Sequence, residues 1–502
     1  MSGLNSRVRW VGIGITVLFL ALFVQLNYLQ VFHAAALDHN PLNTRYVVEE
    51  YEQPRGAIIS ADGATLAESV PSKDQYKYQR IYPLGALFGQ ITGYFSFTYG
   101  TDGLENEYNS LLTKSSTPLQ IPTSLSQLKQ FFTAQPADDD LHITALVSLQ
   151  KLAAAQLAGR AGAVVALDPK TGAVLAMYSN PTYNPNPLAS HNQATVESAW
   201  QQLQKAPGKP LLAAAYRQRF FPGSTFKVIT ASAVYDHRPS LASKFFPYTS
   251  GFVLPGTAGQ VLHNFAGETC GGQLLQLFTV SCDTGFAQLG LGIGATNLAD
   301  EALHFGWDQT PPLDLPGVAQ SYFPPASSFQ YNQAALAKSA MGQESVQATP
   351  LTMALDAAAI ADGGVIMTPH LLADVTDSQG TVVARYRPKP WLTATTRATA
   401  AKVTKLMLSV VNSADGTGVA ARIPGVQVAG KTGTAQTGGP NIETWFVAFA
   451  PVPNPEIAVA VLVEDQPPGN EYQGGTIAAP IAKAIIQQYL LGGASNAAPH
   501  GS

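Results

Sequence analysis

Phe221-Pro222-Gly223-Ser224-Thr225-Phe226-Lys227 is the stretch on which the reading of this chain turns. Pro222-Gly223 marks a turn. The apolar run behind it (Val228, Ile229, Ala231, Ala233, Val234) predicts a buried helix with Ser224 at its start. Backbone N–H groups and the helix dipole favour developing negative charge at such a position. Lys227 lies one turn on and faces the same side. A lysine desolvated near other cations has a lowered pKa and can take the serine proton. Taken alone, the pattern reads better as an amphipathic helix with a snorkelling lysine.

Two further segments change that balance. Ser281-Cys282-Asp283 opens a helix-like segment (Phe286, Leu289, Leu291), and the Ser281 hydroxyl is placed to relay a proton to a leaving amine. A serine helix cap explains it equally well. Lys431-Thr432-Gly433-Thr434 follows the alternating run Val426-Gln427-Val428-Ala429, which suggests a sheet edge. There Gly433 lets a substrate backbone approach closely, while Lys431 and the hydroxyls of Thr432 and Thr434 can bind a terminal carboxylate. A strand with a solvated lysine is the competing account. The backbone N–H groups of Ser224 and Thr434 would form an oxyanion hole. Each motif is weak by itself; the ordered set describes acyl transfer through a serine.

The chain also carries decoys. Ser126-Gln127-Leu128-Lys129 ends a polar Ser/Thr-rich stretch with no turn to seat it. Ser148-Leu149-Gln150-Lys151 falls in a helix-like segment at a surface position. Lys170-Thr171-Gly172 sits between two strand-like runs and predicts a hairpin turn, with Gly172 supplying positive φ.

At 502 residues the chain should form two or three domains. A net charge of −4, without a Lys/Arg run, argues against a nucleic-acid partner. There is no Walker-type loop and no zinc-spaced Cys/His cluster, so neither metal nor cofactor is expected. Trp10 to Val24 is apolar apart from Thr16, and the run continues to Phe32 with polar interruptions. Arg7 and Arg9 precede it, which predicts a single uncleaved membrane anchor with a cytoplasmic N-terminus and the rest outside. A cleaved signal peptide ending at Ala34-Ala35-Ala36 is the alternative, disfavoured by the distance of those residues from the apolar core. An exported location permits a disulfide between Cys270 and Cys282, the only cysteines. So short a loop would contribute on the order of 3 kcal/mol. The bridge would tether the second motif, so Cys270→Ala should slow acylation as well as lower stability; an unchanged acylation rate would contradict that coupling.

Arg55-Gly56-Ala57-Ile58-Ile59 and Asp62-Gly63-Ala64-Thr65-Leu66-Ala67 predict strand, Asp-Gly turn, strand. From about residue 141 the pattern changes to apolar strands and long Ala/Leu-rich helices. The expected organisation is a tail and anchor over 1–32, a small extended pedestal module over 33–150, a large α+β or α/β domain over 151–492 that carries every chemical motif, and a disordered tail over 493–502.

This constellation resembles the class B penicillin-binding proteins along nearly the whole chain. Arg55-Gly56-x-Ile58 with Asp62-Gly63-x-x-Leu66-Ala67 is similar to the opening of their N-terminal module, and Ala166 to Met177 to the first hairpin of their transpeptidase domain. Phe221 to Lys227 matches their nucleophile motif; Gly342-Gln343, Thr349-Pro350-Leu351, Ala429 to Thr434 and Trp445-Phe446 also fit. The compact N-terminal module resembles the small elongation- or division-type enzymes of actinobacteria, the penicillin-binding protein A type. The resemblance implies a mainly antiparallel sheet flanked by helices with a helical subdomain, on a β-rich pedestal or dimerisation-like module. It implies a D,D-transpeptidase: Ser224 attacks D-Ala-D-Ala, releases D-Ala, and passes the acyl group to an amine on a neighbouring peptidoglycan stem. β-Lactams would acylate the same serine, and a polytopic glycan polymerase is the implied membrane partner.

One residue departs from the family pattern. Asp283 stands where most members have Asn. Asparagine can donate to a substrate carbonyl while accepting from lysine, whereas ionised aspartate only accepts. Its charge should also raise the pKa of Lys227, while Lys431 lowers it. Slower acylation near neutral pH follows. The rival readings are a D,D-carboxypeptidase, a β-lactam sensor, a silent scaffold supported only by Asp283, and a β-lactamase, for which no Glu-x-x-x-Asn segment lies between the second and third motifs.

Overall fold

The computed structural model describes residues 2–32, 51–113, 139–469 and 471–492. The decoy at Ser126 to Lys129, the Ala34 to Ala36 site and the tail 493–502 lie outside the described residues.

Five antiparallel strands form the central sheet, in the order Ala429–Gln436, Ile442–Ala450, Ile457–Gln466, Gly162–Leu167, Val174–Asn180. Both faces are covered, which is why these strands, the third-motif strand Ala429–Gln436 excepted, are mostly continuous apolar runs rather than alternating. Ala163, Val165 and Leu167 pack into the core on one face, and Val164 and Ala166 into the core on the other. The first core holds the helix Pro350–Ala361. Val147–Leu157 and Ala479–Leu491 close the second. Each fully buried Val, Ile or Leu here contributes about 1.5–3 kcal/mol. The Ala429–Gln436 strand has only one neighbour, so its outer edge remains open towards a helical layer that includes Lys227–His237, Leu274–Thr279 and Asp283–Ile293.

The Lys170-Thr171-Gly172 segment is the expected hairpin turn, with Gly172 at φ 80° and Lys170 exposed. Its Asp168 accepts from the Lys170 N–H and the Thr171 hydroxyl. Ser148 and Lys151 are exposed on a surface helix.

The N-terminal module shows the predicted pair, Ile58–Ile59 against Thr65–Pro71, with Gly63 at φ 78° between them. These strands join a six-stranded sheet that also takes Tyr78–Ile81, Asp140–Ile143, Leu372–Thr376 and Val382–Arg385. The pairing of Leu372–Thr376 with Asp140–Ile143 thus knits the module to the large domain. Side chains reinforce the join: Arg217 makes a bidentate pair with Asp102, and Asp314 accepts from Tyr108 and from the Leu371 and Leu372 N–H groups. Ahead of the module, the helix Ser2–Asn27 passes into a π-type turn, Tyr28–Phe32. Its stretch Val8–Gln30, mean hydropathy 1.9, is long and apolar enough to cross a bilayer.

Candidate active site

Gly223–Phe226 forms a 3₁₀ turn and Lys227–His237 the α-helix that follows, so Ser224 lies in the tight turn rather than at the first α-helical position. Residues three apart eclipse in 3₁₀ geometry, which stacks Ser224 over Lys227 more directly than an α-turn would. Gly223 has φ 52°, and a Cβ there would meet the Thr434 carbonyl at 2.9 Å. A Cβ at Gly433 would meet the Pro222 carbonyl at 2.8 Å. The two glycines let the nucleophile turn close onto the outer edge of the Ala429–Gln436 strand. In an antiparallel ladder the N–H and C=O of one residue point to the same side. Thr434 therefore turns both towards Ser224.

Ser281 occupies the turn between Leu274–Thr279 and Asp283–Ile293 with φ 58°, while Cys282 holds the helix-capping position. The helix-cap explanation of Ser281 is thereby replaced: its side chain is directed into the site. Lys431 Nζ donates to Ser281 Oγ at 2.8 Å and to the Thr432 carbonyl at 3.0 Å. Lys227 Nζ donates to the Ser281 carbonyl at 2.8 Å, Ser281 Oγ at 3.3 Å and Asp283 Oδ1 at 2.6 Å. One hydroxyl thus stands between two ammonium groups. The Phe286 ring lies 5.2 Å from Lys227 Nζ, and the Phe278 ring 5.7 Å from Lys431 Nζ.

Both lysines are fully buried. Burial pushes Lys227 below its ordinary value and outweighs the charge and hydrogen bond of Asp283, which pull upward. Lys431 is held well below its ordinary value, by burial first and the Lys227 charge second, with Asp283 opposing. Buried amines of this kind can serve as bases near neutral pH. Asp283 is the group that works against this. Asp283→Asn removes its charge, so Lys227 loses its proton at lower pH and the acidic limb of the acylation profile moves down. Faster acylation near pH 7 is the expected stopped-flow result; an unchanged or slower rate contradicts it.

The bridge Cys270–Cys282 is present, with Cα atoms 5.8 Å apart. Asn264, which nothing in the sequence marked, is a second tether. Its side chain accepts from the Thr284 N–H at 2.9 Å and donates to the Thr249 and Glu268 carbonyls at 2.8 and 2.9 Å. It joins the hairpin Gly251–Val253/Val261–His263 to the start of the second-motif helix. That hairpin walls a groove of about 660 Å³ onto which Ser224, Asp283, Thr434, Asn264 and Lys338 open. Thr432 is turned inward and shares a 2.6 Å hydrogen bond with Thr417. Among the described residues no cluster suited to a metal ion occurs.

The profile of the penicillin binding protein transpeptidase domain matches residues 162–487, well over half of the chain. The chain belongs to the penicillin-binding transpeptidase family. The penicillin binding protein A dimerisation domain matches residues 55–137. Peptidoglycan D,D-transpeptidase PbpA of Mycolicibacterium smegmatis is 36% identical, across 97% of this chain and 99% of that protein. Its namesake in Mycobacterium tuberculosis is also 36% identical, across 97% of this chain and 100% of its own length. Among solved structures, a ceftriaxone acyl-enzyme complex of penicillin-binding protein A from M. tuberculosis superposes with a TM-score of 0.80 at 34% identity, covering 88% of this chain and 100% of that one. A penicillin G acyl-enzyme complex of the same protein gives 0.78 at 35%, covering 87% and 100%. As a penicillin-binding transpeptidase, the chain has the expected α+β fold of helices flanking an antiparallel sheet, beside a dimerisation-type module.

Proposed function

We propose that this chain is a peptidoglycan D,D-transpeptidase that works through a Ser224 acyl-enzyme. The observation that carries the reading is the Ser281 hydroxyl held between Lys227 and Lys431, with Asp283, which accepts from Lys227, lining the same groove as Ser224 and Thr434. Neutral Lys227 takes the Ser224 proton as Oγ attacks the penultimate D-Ala carbonyl. The N–H groups of Ser224 and Thr434 hold the oxyanion. As the peptide C–N bond breaks, Ser281 hands a proton to the departing D-Ala amine and takes its replacement from Lys227, which gained one from Ser224. Thr434, which lines the groove, receives the terminal carboxylate with the Lys431 charge behind it; Thr432, bonded to Thr417, and Gly433, packed against Pro222, shape the strand rather than meet the substrate. An amine of a neighbouring stem then attacks the ester and regenerates Ser224. A β-lactam carbonyl enters the same path and its ring-opened ester persists.

The Val8–Gln30 helix anchors the enzyme, with Arg7 and Arg9 keeping the N-terminus cytoplasmic and the catalytic domain outside. A polytopic glycan polymerase is the partner this arrangement suits. The division into anchor (1–32), pedestal (33–150), transpeptidase domain (151–492) and tail (493–502) belongs to the same proposal.

The test supplies a peptide ending in D-Ala-D-Ala together with an amine acceptor peptide. Cross-linked product with released D-Ala is expected. A product merely shortened by one D-Ala would make the protein a carboxypeptidase.

A further inference from the structure

The residue ahead of the nucleophile turn is gripped by side chains on both of its backbone polar atoms. The Phe221 N–H donates to Glu443 Oε2 at 2.9 Å, and Trp445 Nε1 donates to the Phe221 carbonyl at 2.9 Å. Glu443 and Trp445 lie two apart on the Ile442–Ala450 strand, so both side chains leave the same face. That strand is also the ladder partner of the third-motif strand, pairing Glu443 with Ala435 and Trp445 with Gly433. The clamp therefore sets the nucleophile turn in register with Thr434.

The sheet is modified opposite Glu443. Pairing steps from Ile442 with Gln466 to Thr444 with Val463, so Glu464 and Asp465 together face the single residue Glu443, and Asp465 takes φ 53°. Bulges of this kind re-aim side chains next to active sites. Glu443 is buried, 9% exposed. Burial pushes its carboxyl up to about 8; the Phe221 N–H opposes that, and the Glu464 and Asp465 charges add to it. Burial thus favours the uncharged acid, a hydrogen-bond acceptor of the same shape and charge as glutamine.

We propose that Glu443 is a positioning residue for acyl transfer, fixing Phe221 and through it Ser224 against Thr434. The inference rests on the Ser224 acyl-enzyme reading. Glu443 touches none of the reacting atoms; it acts through the backbone of Phe221. Trp445 alone cannot replace it, because an indole donates and only the carboxyl accepts.

The test uses the full chain in detergent with penicillin, separating non-covalent binding from the acylation step by stopped-flow and following the adduct by intact mass. Glu443→Leu removes the acceptor and should slow the acylation step by about tenfold or more, with binding nearly unchanged. Glu443→Gln restores an acceptor and should acylate within about twofold of wild type, a rescue that lost packing would not discriminate. Should the leucine variant fail to fold, Glu443→Asp, which withdraws the oxygen by one methylene, should show the same slowing. Wild-type rates in the leucine or aspartate variant overturn the inference alone, as does equal slowing in glutamine and leucine. A wild-type chain that never forms an adduct overturns the acyl-enzyme reading, and this inference with it.

Discussion

Lys227→Met should slow acylation of Ser224 by about 10²–10⁴-fold, the range for loss of a positioned general base. Methionine is unbranched and apolar, so it fills the site that the Lys227 side chain occupies over Phe286 and should leave the fold intact. What disappears is the amine that bonds Ser281 and Asp283 three residues on from Ser224. In wild type the neutral fraction of Lys227 grows with pH, and its lowered pKa brings that rise towards the working range. The wild-type acylation rate should therefore climb with pH through the Lys227 titration, and the Met variant should lose that limb. Stopped-flow acylation between pH 6 and about 10, near the ordinary lysine pKa, checks both points. A variant within threefold of wild type would remove Lys227 from the role of base.

Glu105→Ala should destabilise the protein by about 3–5 kcal/mol, because it strips the partner from two buried cations. Glu105 accepts from Arg55 Nε at 2.5 Å, Arg80 Nε at 2.6 Å and the Tyr82 hydroxyl at 3.2 Å. Arg80 goes on to the Arg55 and Gly56 carbonyls, so the triad ties the start of the N-terminal module to its helices. Burial alone would raise the Glu105 carboxyl, but Arg80 and Arg55 outweigh it and hold the group below its ordinary value. A depressed carboxyl stabilises above its unfolded-state pKa, and that contribution disappears as pH falls through the folded value. The variant should consequently show a shallower loss of stability on acidification. The exposed pair Lys77–Glu52 is the control, since Glu52→Ala should change stability by no more than about 1 kcal/mol. Thermal unfolding of both variants at two pH values decides; equal losses would contradict the triad's role.

What could be read in the sequence was local. The Pro222-Gly223 turn, the Gly172 hairpin and the Asp62-Gly63 turn announce themselves through residues that demand one backbone geometry. The apolar strands are legible as strands because both faces of the sheet are covered. The tight turn at Ser224 reads as helix because 3₁₀ and α patterns share the same apolar spacing over four residues. Ser281's positive φ left no trace, since serine carries no such signature. Glu443 and Asn264 act on backbone N–H groups 222 and 20 residues away, and a backbone donor has no letter in the sequence. The pairing of Leu372–Thr376 with Asp140–Ile143 was hidden for the same reason: strand partners are chosen by the folded sheet.

The most direct test of the account is intact-protein mass spectrometry of the full chain with penicillin over time, beside Ser224→Ala. A long-lived adduct equal to one added penicillin, absent in the alanine variant, is the predicted result. An adduct that persists in Ser224→Ala, or none in wild type at any pH, would contradict the Ser224 acyl-enzyme.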